Sequence, residues 1–366
     1  MKFKTEIIES DEYYYTASYF TTNKWIDNDT FVAVRSKNKT VGANEKPFTD
    51  VSEIVICNLE TGAQEVVCDD LISFEDYLVF GKFIFYSNGL ELKRINIENK
   101  AVDILCRAPE FERIQSEEKS WDLPLLRNPC ITADGKYISM FAYNGRKNEF
   151  GRIIRFVEMF RYSINEGKLV KVFEKAFKEP FWDAGHVMIS PTDCNKLFYC
   201  HEGNSHYITN RLWMYDIGKQ IDKNIAKQDM DENGCLTECF GHEIWAPDGK
   251  GLYFVKYSDS PKKPTGLCYV SLDNPNAKIL YSKYRYWHVS VSDNGRFLLS
   301  DTQSDNFISS VILIDTLTGD EKKIAETKTD WVHPCHPHPQ MSPQFDKVIF
   351  TGMNDAGRTC IKLVRI

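Results

Sequence analysis

His333, His336 and His338 alternate with Pro334, Pro337 and Pro339 in the stretch WVHPCHPHPQMSP, residues 331–343. Imidazole is a ligand for divalent metals, and residues two apart on an extended chain share a face, so His336 and His338 are expected to point the same way. His333 can join them from the preceding loop. The interleaved prolines remove backbone donors and stiffen the segment, which suits a loop at the mouth of a channel better than a central ladder strand. The competing reading is a stiff core segment that happens to be rich in imidazole.

The other histidines decide between the two. All eight lie between positions 186 and 338, and four share one register. His186 stands four residues before Ser190, His242 four before Ala246, His288 four before Ser292 and His338 four before Ser342, while Asn128 holds the same place before Thr132. A lone strand histidine is ordinarily structural. A repeated position that carries imidazole four times over predicts a functional cluster, and metal binding within it. Zn²⁺, Fe²⁺ or Ni²⁺ suits imidazole by intrinsic affinity.

The elements that must position these side chains recur too. A small residue, a turn, a basic residue and a strand follow one another in TADGKYISMF (132–141), SPTDCNKLFYC (190–200), APDGKGLYFV (246–255), SDNGRFLLSD (292–301) and SPQFDKVIFTG (342–352), with weaker copies at 26–35 and 80–87. The Asp-Gly and Asn-Gly pairs supply the positive φ of a tight hairpin. Alternating strands joined by polar turns follow, as in IVICNLETGAQEVVC and VILIDTLTGDEKKIA. Seven copies of a unit of about four strands predict an all-β, seven-bladed β-propeller forming a single domain over 1–366. The last copy is truncated, so a strand from about residues 3–20 is expected to complete the final sheet beside the C-terminal strand. In a propeller the first strand of each blade lines the channel, which would bring the four register histidines toward a common axis. Residues 218–239 read as a surface excursion. Glu243, next to His242 on a strand, is expected to face the opposite way.

Composition excludes several classes. Net charge is −7, so no global basic field attracts nucleic acid, and no basic stripe with interleaved aromatics occurs. No apolar run reaches the ~18 residues of a membrane helix. The eleven cysteines are scattered, and with no secretory signal read at the start this fits reduced thiols in a cytoplasmic protein. No P-loop, G-x-G-x-x-G or G-x-S-x-G is present.

The segments FYCHEGNSHYITNRLWMYDI (198–217), GHEIWAPDGKGLYF (241–254), WHVSVSDNGRFLLSD (287–301) and HPCHPHPQMSPQFDKVIFTG (333–352) resemble those of oligogalacturonate lyases. That family consists of cytoplasmic seven-bladed propellers that cleave short uronate oligosaccharides by β-elimination with Mn²⁺. The resemblance implies His288, His336 and His338 as metal ligands, with His333 where the family carries a glutamine. It implies His242 as the proton-abstracting base and Arg211 as its supporting arginine. The partner implied is a small acidic oligosaccharide, with neither nucleic acid nor membrane.

β-Elimination removes the proton on C5, alpha to the uronate carboxylate, and expels O4. Enolate-like charge develops on the carboxylate, and a divalent cation stabilises it as a Lewis acid. Neutral imidazole ligands leave the cation's charge for the substrate. An imidazole base titrates near neutrality. Arg211 would bind a second carboxylate or hold charge near the base. His186, His201 and His206 are expected to contact substrate, with His201 or His206 also a donor to the departing O4 or part of a supporting network. Two other readings stand beside this one: a propeller lyase for another linkage, such as rhamnosyl-glucuronate, and a non-catalytic propeller scaffold.

Overall fold

The computed structural model describes residues 3–17, 19, 23–39, 51–109 and 125–366. Every regular element among the described residues is a strand; none is an α-helix, and none can therefore be a membrane-crossing helix. Runs of Val, Ile, Phe and Tyr that alternate with polar residues fit a pleated, half-buried surface, and tight turns fold them back on themselves.

Five antiparallel sheets have four strands each, taken in chain order. The first is Tyr14–Thr16, Thr30–Ser36, Ser52–Asn58 and Gln64–Leu71; the second is Tyr77–Phe80, Phe83–Ser87, Glu91–Asn96 and Val102–Arg107. The third runs from Arg127–Ile131 to Lys168–Lys175, the fourth from Ala184–Ile189 to Ile221–Asn224, and the fifth from Phe240–Trp245 to Asn274–Tyr281. An eight-stranded sheet holds the rest. It contains a meander of four strands, Tyr286–Val291 to Asp320–Lys328, joined through the single pair Lys328 and Met353 to a second group. That group is Gln340–Met341, Lys347–Met353, Thr359–Arg365 and Thr5–Ile8. The N-terminal strand thus pairs antiparallel with the C-terminal one, Thr5 opposite Val364 and Ile8 opposite Ile361, as the truncated last repeat predicts. Positions 18 and 20 of the expected closing stretch lie outside the described residues.

The recurring turn has a physical basis. Gly135, Gly249 and Gly295 take left-handed φ of 69°, 67° and 72°, and their N–H groups bond back to the carbonyls of Thr132, Ala246 and Ser292. The Ser or Thr at the head of the turn accepts the N–H of the residue that starts the next strand: Phe297 to Ser292 Oγ at 2.9 Å and Lys347 to Ser342 Oγ at 3.1 Å. Phe345 stands in the left-handed position that Gly135, Gly249 and Gly295 hold in three other copies.

By contact density the chain falls into two compact units. One comprises Met1–Phe85, Ile95–Val102 and Lys283–Ile366. Its core joins the first sheet to the last, through Tyr15, Trp25, Phe31 and Val55 against Ile349, Ile361 and Leu363. A second cluster, Leu299, Val311 and Leu313 with Val348, Phe350 and Val364, joins the two halves of the eight-stranded sheet. The other unit is Tyr86–Arg94 and Asp103–Ser282. There the fourth sheet packs on the third through Tyr199, Val157 and Phe141, and on the fifth through Phe198, Met214, Phe240 and Phe254. Each such buried side chain contributes about 1.5–3 kcal/mol.

One expectation is corrected here. Ile221–Asn224, inside the stretch read as a surface excursion, is the fourth strand of its sheet, pairing with Trp213–Asp216. Its one-in-four apolar content hid it, because an edge strand needs only one covered face.

Candidate metal centre and histidine cluster

A β-bulge interrupts the first strand of four consecutive sheets, between Arg127 and Cys130, Gly185 and Met188, Gly241 and Ile244, and Tyr286 and Val289. The register residue sits in each bulge. Asn128, His186 and His242 take left-handed φ of 49°, 51° and 57°, and His338 follows at 43° ahead of its own short strand. Non-glycine residues adopt this conformation uncommonly, and His and Asn do so more readily than most. A bulge redirects the side chain out of strict alternation, which is how a repeated sequence position becomes a repeated functional one.

In the first unit, donor atoms of His288, His336 and His338 all lie within 4.8 Å of one another. All three rings are buried, at 1%, 6% and 1% exposure. Ring centroids of His288 and His338 are 3.8 Å apart, and those of His288 and His336 are 5.3 Å apart. Neither ring nitrogen of His336 has a hydrogen bond of normal geometry among the described residues, although both are buried. Burial, with a smaller push from His333, brings its pKa down to about 3, so it is a neutral donor. A buried imidazole with two unused nitrogens is costly unless a ligand takes a lone pair. The donor set therefore fits a divalent cation.

The residue that organises this centre has no motif. Asp301, fully buried, lies on the second strand of its sheet, opposite the bulge. Its carboxylate accepts the His288 N–H, inside the bulge, at 2.8 Å and the His338 N–H, from the proline-rich segment, at 3.1 Å. It also accepts from His288 Nδ1, at 2.9 and 2.8 Å to its two oxygens. That bond fixes the tautomer and leaves Nε2 as the metal-facing lone pair. Burial pushes the Asp301 pKa up to about 7, and the two backbone donors hold it from rising further. The only sequence signal was a charge closing an apolar strand, FLLSD.

His333 stands beside the group of three, not in it. Its ring is 4.1 Å from that of His336 and 6.1 Å from that of His338, and it stacks on Phe74 at 5.8 Å. Tyr19 covers His338 at 5.0 Å. Residues 331–339 form no strand, in keeping with their prolines.

In the second unit, His186, Cys200, Glu202, Arg211 and Glu243 form one polar cluster. Glu243 does not face away from it. The bulge between Gly241 and Ile244 breaks the alternation and turns the fully buried Glu243 inward. Its Oε2 is 3.2 Å from His186 Nδ1 and its Oε1 accepts the Cys200 thiol at 3.4 Å. Burial alone would raise the Glu243 pKa; the bond and charge of His186 and the charge of Arg211 outweigh it and bring it to about 2. Trp245 ties the same strand to its neighbour by donating to the Met188 carbonyl at 3.1 Å.

Arg211 is buried, and both terminal nitrogens are engaged: Nη1 donates to the Gly203 carbonyl at 3.0 Å, and Nη2 lies 3.2 Å from both Cys200 Sγ and Glu202 Oε2. It holds charge inside the cluster, with only Nε making no hydrogen bond of normal geometry among the described residues. Donor atoms of His186, Cys200 and Glu202 also lie within 4.8 Å of one another, but this fixed guanidinium already supplies the cation there. His201 donates from Nε2 to the Phe181 carbonyl at 2.7 Å and stacks on Phe177 at 3.6 Å; burial lowers its pKa. His206, partly exposed, bonds Asp259 at 3.0 Å through Nε2 and lies 3.5 Å from Cys239 Sγ through Nδ1. His242 packs its ring edge-on to Tyr257, with centroids 5.2 Å apart.

The chain is similar to known proteins in sequence and in fold. A profile of the oligogalacturonate lyase family matches residues 159–366. An oligogalacturonide lyase of Pectobacterium atrosepticum is 25% identical over 217 residues, 53% of this chain and 52% of that protein. An oligogalacturonate lyase of Dickeya dadantii is 26% identical over 212 residues, 52% of this chain and 51% of that protein. The alignments thus span about half the length of these curated relatives. In structure, the chain is similar over its whole length to 97% of an oligogalacturonate lyase solved in complex with manganese, with a TM-score of 0.77 at 15% identity. An oligogalacturonate lyase from Vibrio parahaemolyticus gives a TM-score of 0.73, also at 15% identity and 97% of that chain.

Proposed function

The chain belongs to the oligogalacturonate lyase family, and from that premise we propose that it cleaves short, acidic uronate oligosaccharides by metal-dependent β-elimination, leaving a 4,5-unsaturated uronate. The observation that carries the proposal is the buried trio His288, His336 and His338, with donor atoms within 4.8 Å of one another and no hydrogen bond of normal geometry at the His336 nitrogens among the described residues. These three would hold the ion, which we take to be Mn²⁺ by family, and His333 is the nearest further imidazole to act as a fourth donor. When bound, the ion supplies a Lewis acid for the substrate carboxylate, on which enolate-like charge grows.

The chain's own residues do the rest. Asp301 orients His288 and fastens the backbone of His338. His242 accepts the C5 proton; a neutral imidazole is available for this near pH 7. Arg211 sets positive charge beside the carboxylates around His186, which faces the substrate, and His201 and His206 form the supporting network. The reading also takes 1–366 as one seven-bladed propeller domain; five four-stranded sheets and the two four-stranded groups of the eight-stranded sheet support that count. The test is incubation of the Mn²⁺-loaded protein with digalacturonate. A rise in ultraviolet absorbance from the conjugated product is expected, and none with any divalent metal would sink the proposal.

A further inference from the structure

β-Elimination needs two proton transfers, one from C5 to a base and one to the departing O4. In a galacturonate ring the C5–H and C4–O bonds are antiparallel, so the two transfers occur on opposite faces and one side chain cannot serve both. His242 accounts for the first. We infer that His186 is the general acid that protonates O4, held by the buried carboxylate of Glu243 as its positioning residue, an assignment that rests on the lyase reading above.

The geometry selects His186 among the candidates. His201 is committed to the Phe181 carbonyl and stacked on Phe177, and both nitrogens of His206 are engaged, on Asp259 and Cys239. His186 and His242 occupy the same bulge on consecutive first strands, with nearly equal φ of 51° and 57°. Equivalent backbone positions on neighbouring sheets, which pack roughly 10 Å apart, suit two imidazoles that act on the same small ring. Glu243, the residue after His242, reaches from that strand to His186 Nδ1 at 3.2 Å. One bulge therefore carries the base and the carboxylate that orients the acid.

Charge balance supports the same state. The groups that face His186 are Glu243 on the fifth sheet, Glu202 at 3.8 Å and Cys200 on the adjoining strand end, Arg211 before the next strand and Asp183 before its own; Tyr143 and Tyr257 border them. Burial pushes the Cys200 thiol and both phenols up, so they stay neutral, and burial with the nearby Glu202 raises Asp183 to about 7. Glu202 and Glu243, with Asp183 partly ionised near pH 7, stand against one guanidinium. An imidazolium at His186 offsets this excess of negative charge, and buried charge is tolerated only when compensated.

In the step, the C5–H electron pair forms the C4=C5 bond and His242 keeps the C5 proton. The C4–O4 bond breaks with its pair on oxygen, and His186 Nε2 gives O4 its proton while Nδ1–H stays on Glu243. Proton exchange with water then restores both imidazoles.

The experiment compares the Mn²⁺-loaded wild type with H186Q and E243Q on digalacturonate and on a galacturonate bearing a 4-O-nitrophenyl group, whose departure needs no protonation. H186Q is expected to lose about 10²–10⁴-fold in kcat on digalacturonate and under about tenfold on the nitrophenyl ether. E243Q is expected to lower kcat with KM little changed and to move the alkaline limb of its pH profile to lower pH, with partial rescue by E243D. Equal losses on both substrates, or an unmoved alkaline limb in E243Q, overturn the assignment while leaving the lyase reading intact. A wild type inert on both substrates overturns the lyase reading and the acid with it. Should H186Q fail to fold, the E243Q profile decides alone.

Discussion

Asp301 and His336 show how single residues set the metal centre. Asp301 spends its carboxylate on three donors that belong to two ligands, so its loss is felt at both. Asp301→Asn leaves the shape intact but offers a weaker acceptor to His288 Nδ1, and Mn²⁺ affinity by calorimetry should fall about 10–100-fold. His336 differs, because its buried ring nitrogens make no hydrogen bond of normal geometry among the described residues. His336→Ala should therefore change the melting temperature of the metal-free protein little while abolishing its rise with Mn²⁺, which at a hundredfold excess over Kd is worth about 2.7 kcal/mol in the wild type. A large drop in the metal-free protein would mean that the ring is structural. Glu243 sets an acid limit. Its folded pKa of about 2 lies below the ordinary 4.5, so ionised Glu243 stabilises the fold above that value, and the contribution is lost as pH falls through about 2. The stability gap between wild type and E243Q should be widest above about pH 5 and should close toward pH 2 in pH-resolved thermal melts.

The bulged first strand is the element on which these side chains depend. It recurs on four consecutive sheets, and it explains why the register residue and its neighbour can both face functional groups where a regular strand would send one away. Its conformation has an energetic signature at Asn128, which carries no proposed chemistry. Asn128→Gly and Asn128→Ala both lose the amide, but only alanine bears the left-handed φ of 49°. The glycine variant should be the more stable by about 1 kcal/mol in urea unfolding. Equal stabilities would show that the bulge relaxes without cost. The proline-rich 331–339 segment has a different logic: three prolines remove N–H groups that a ladder would need, so it lies off the ladder, and its His338 N–H goes to Asp301.

Chain closure belongs to the whole molecule. Thr5–Ile8 is the outer partner of Thr359–Arg365, and the first and last sheets share a core. Removal of residues 1–9 should cost about 2–4 kcal/mol, from the lost ladder and the burial of Ile8, and should leave an edge prone to association. Urea unfolding and light scattering would register both, and an unchanged midpoint would show that the strand is dispensable.

Repeating turn chemistry and two-residue alternation made the all-β meanders legible from sequence, since both act over a few neighbouring residues. The shared register of His186, His242, His288 and His338 was legible for the same reason, and so was the pairing of the first strand with the last. Which imidazoles converge was decided by tertiary structure: His288, His336 and His338 meet, while His333 packs beside them. Asp301 and Glu243 escaped because their partners come from other strands. A bulge inverts the face of a residue without leaving a mark in composition, and a buried carboxylate is recognisable only by the donors that folding brings to it.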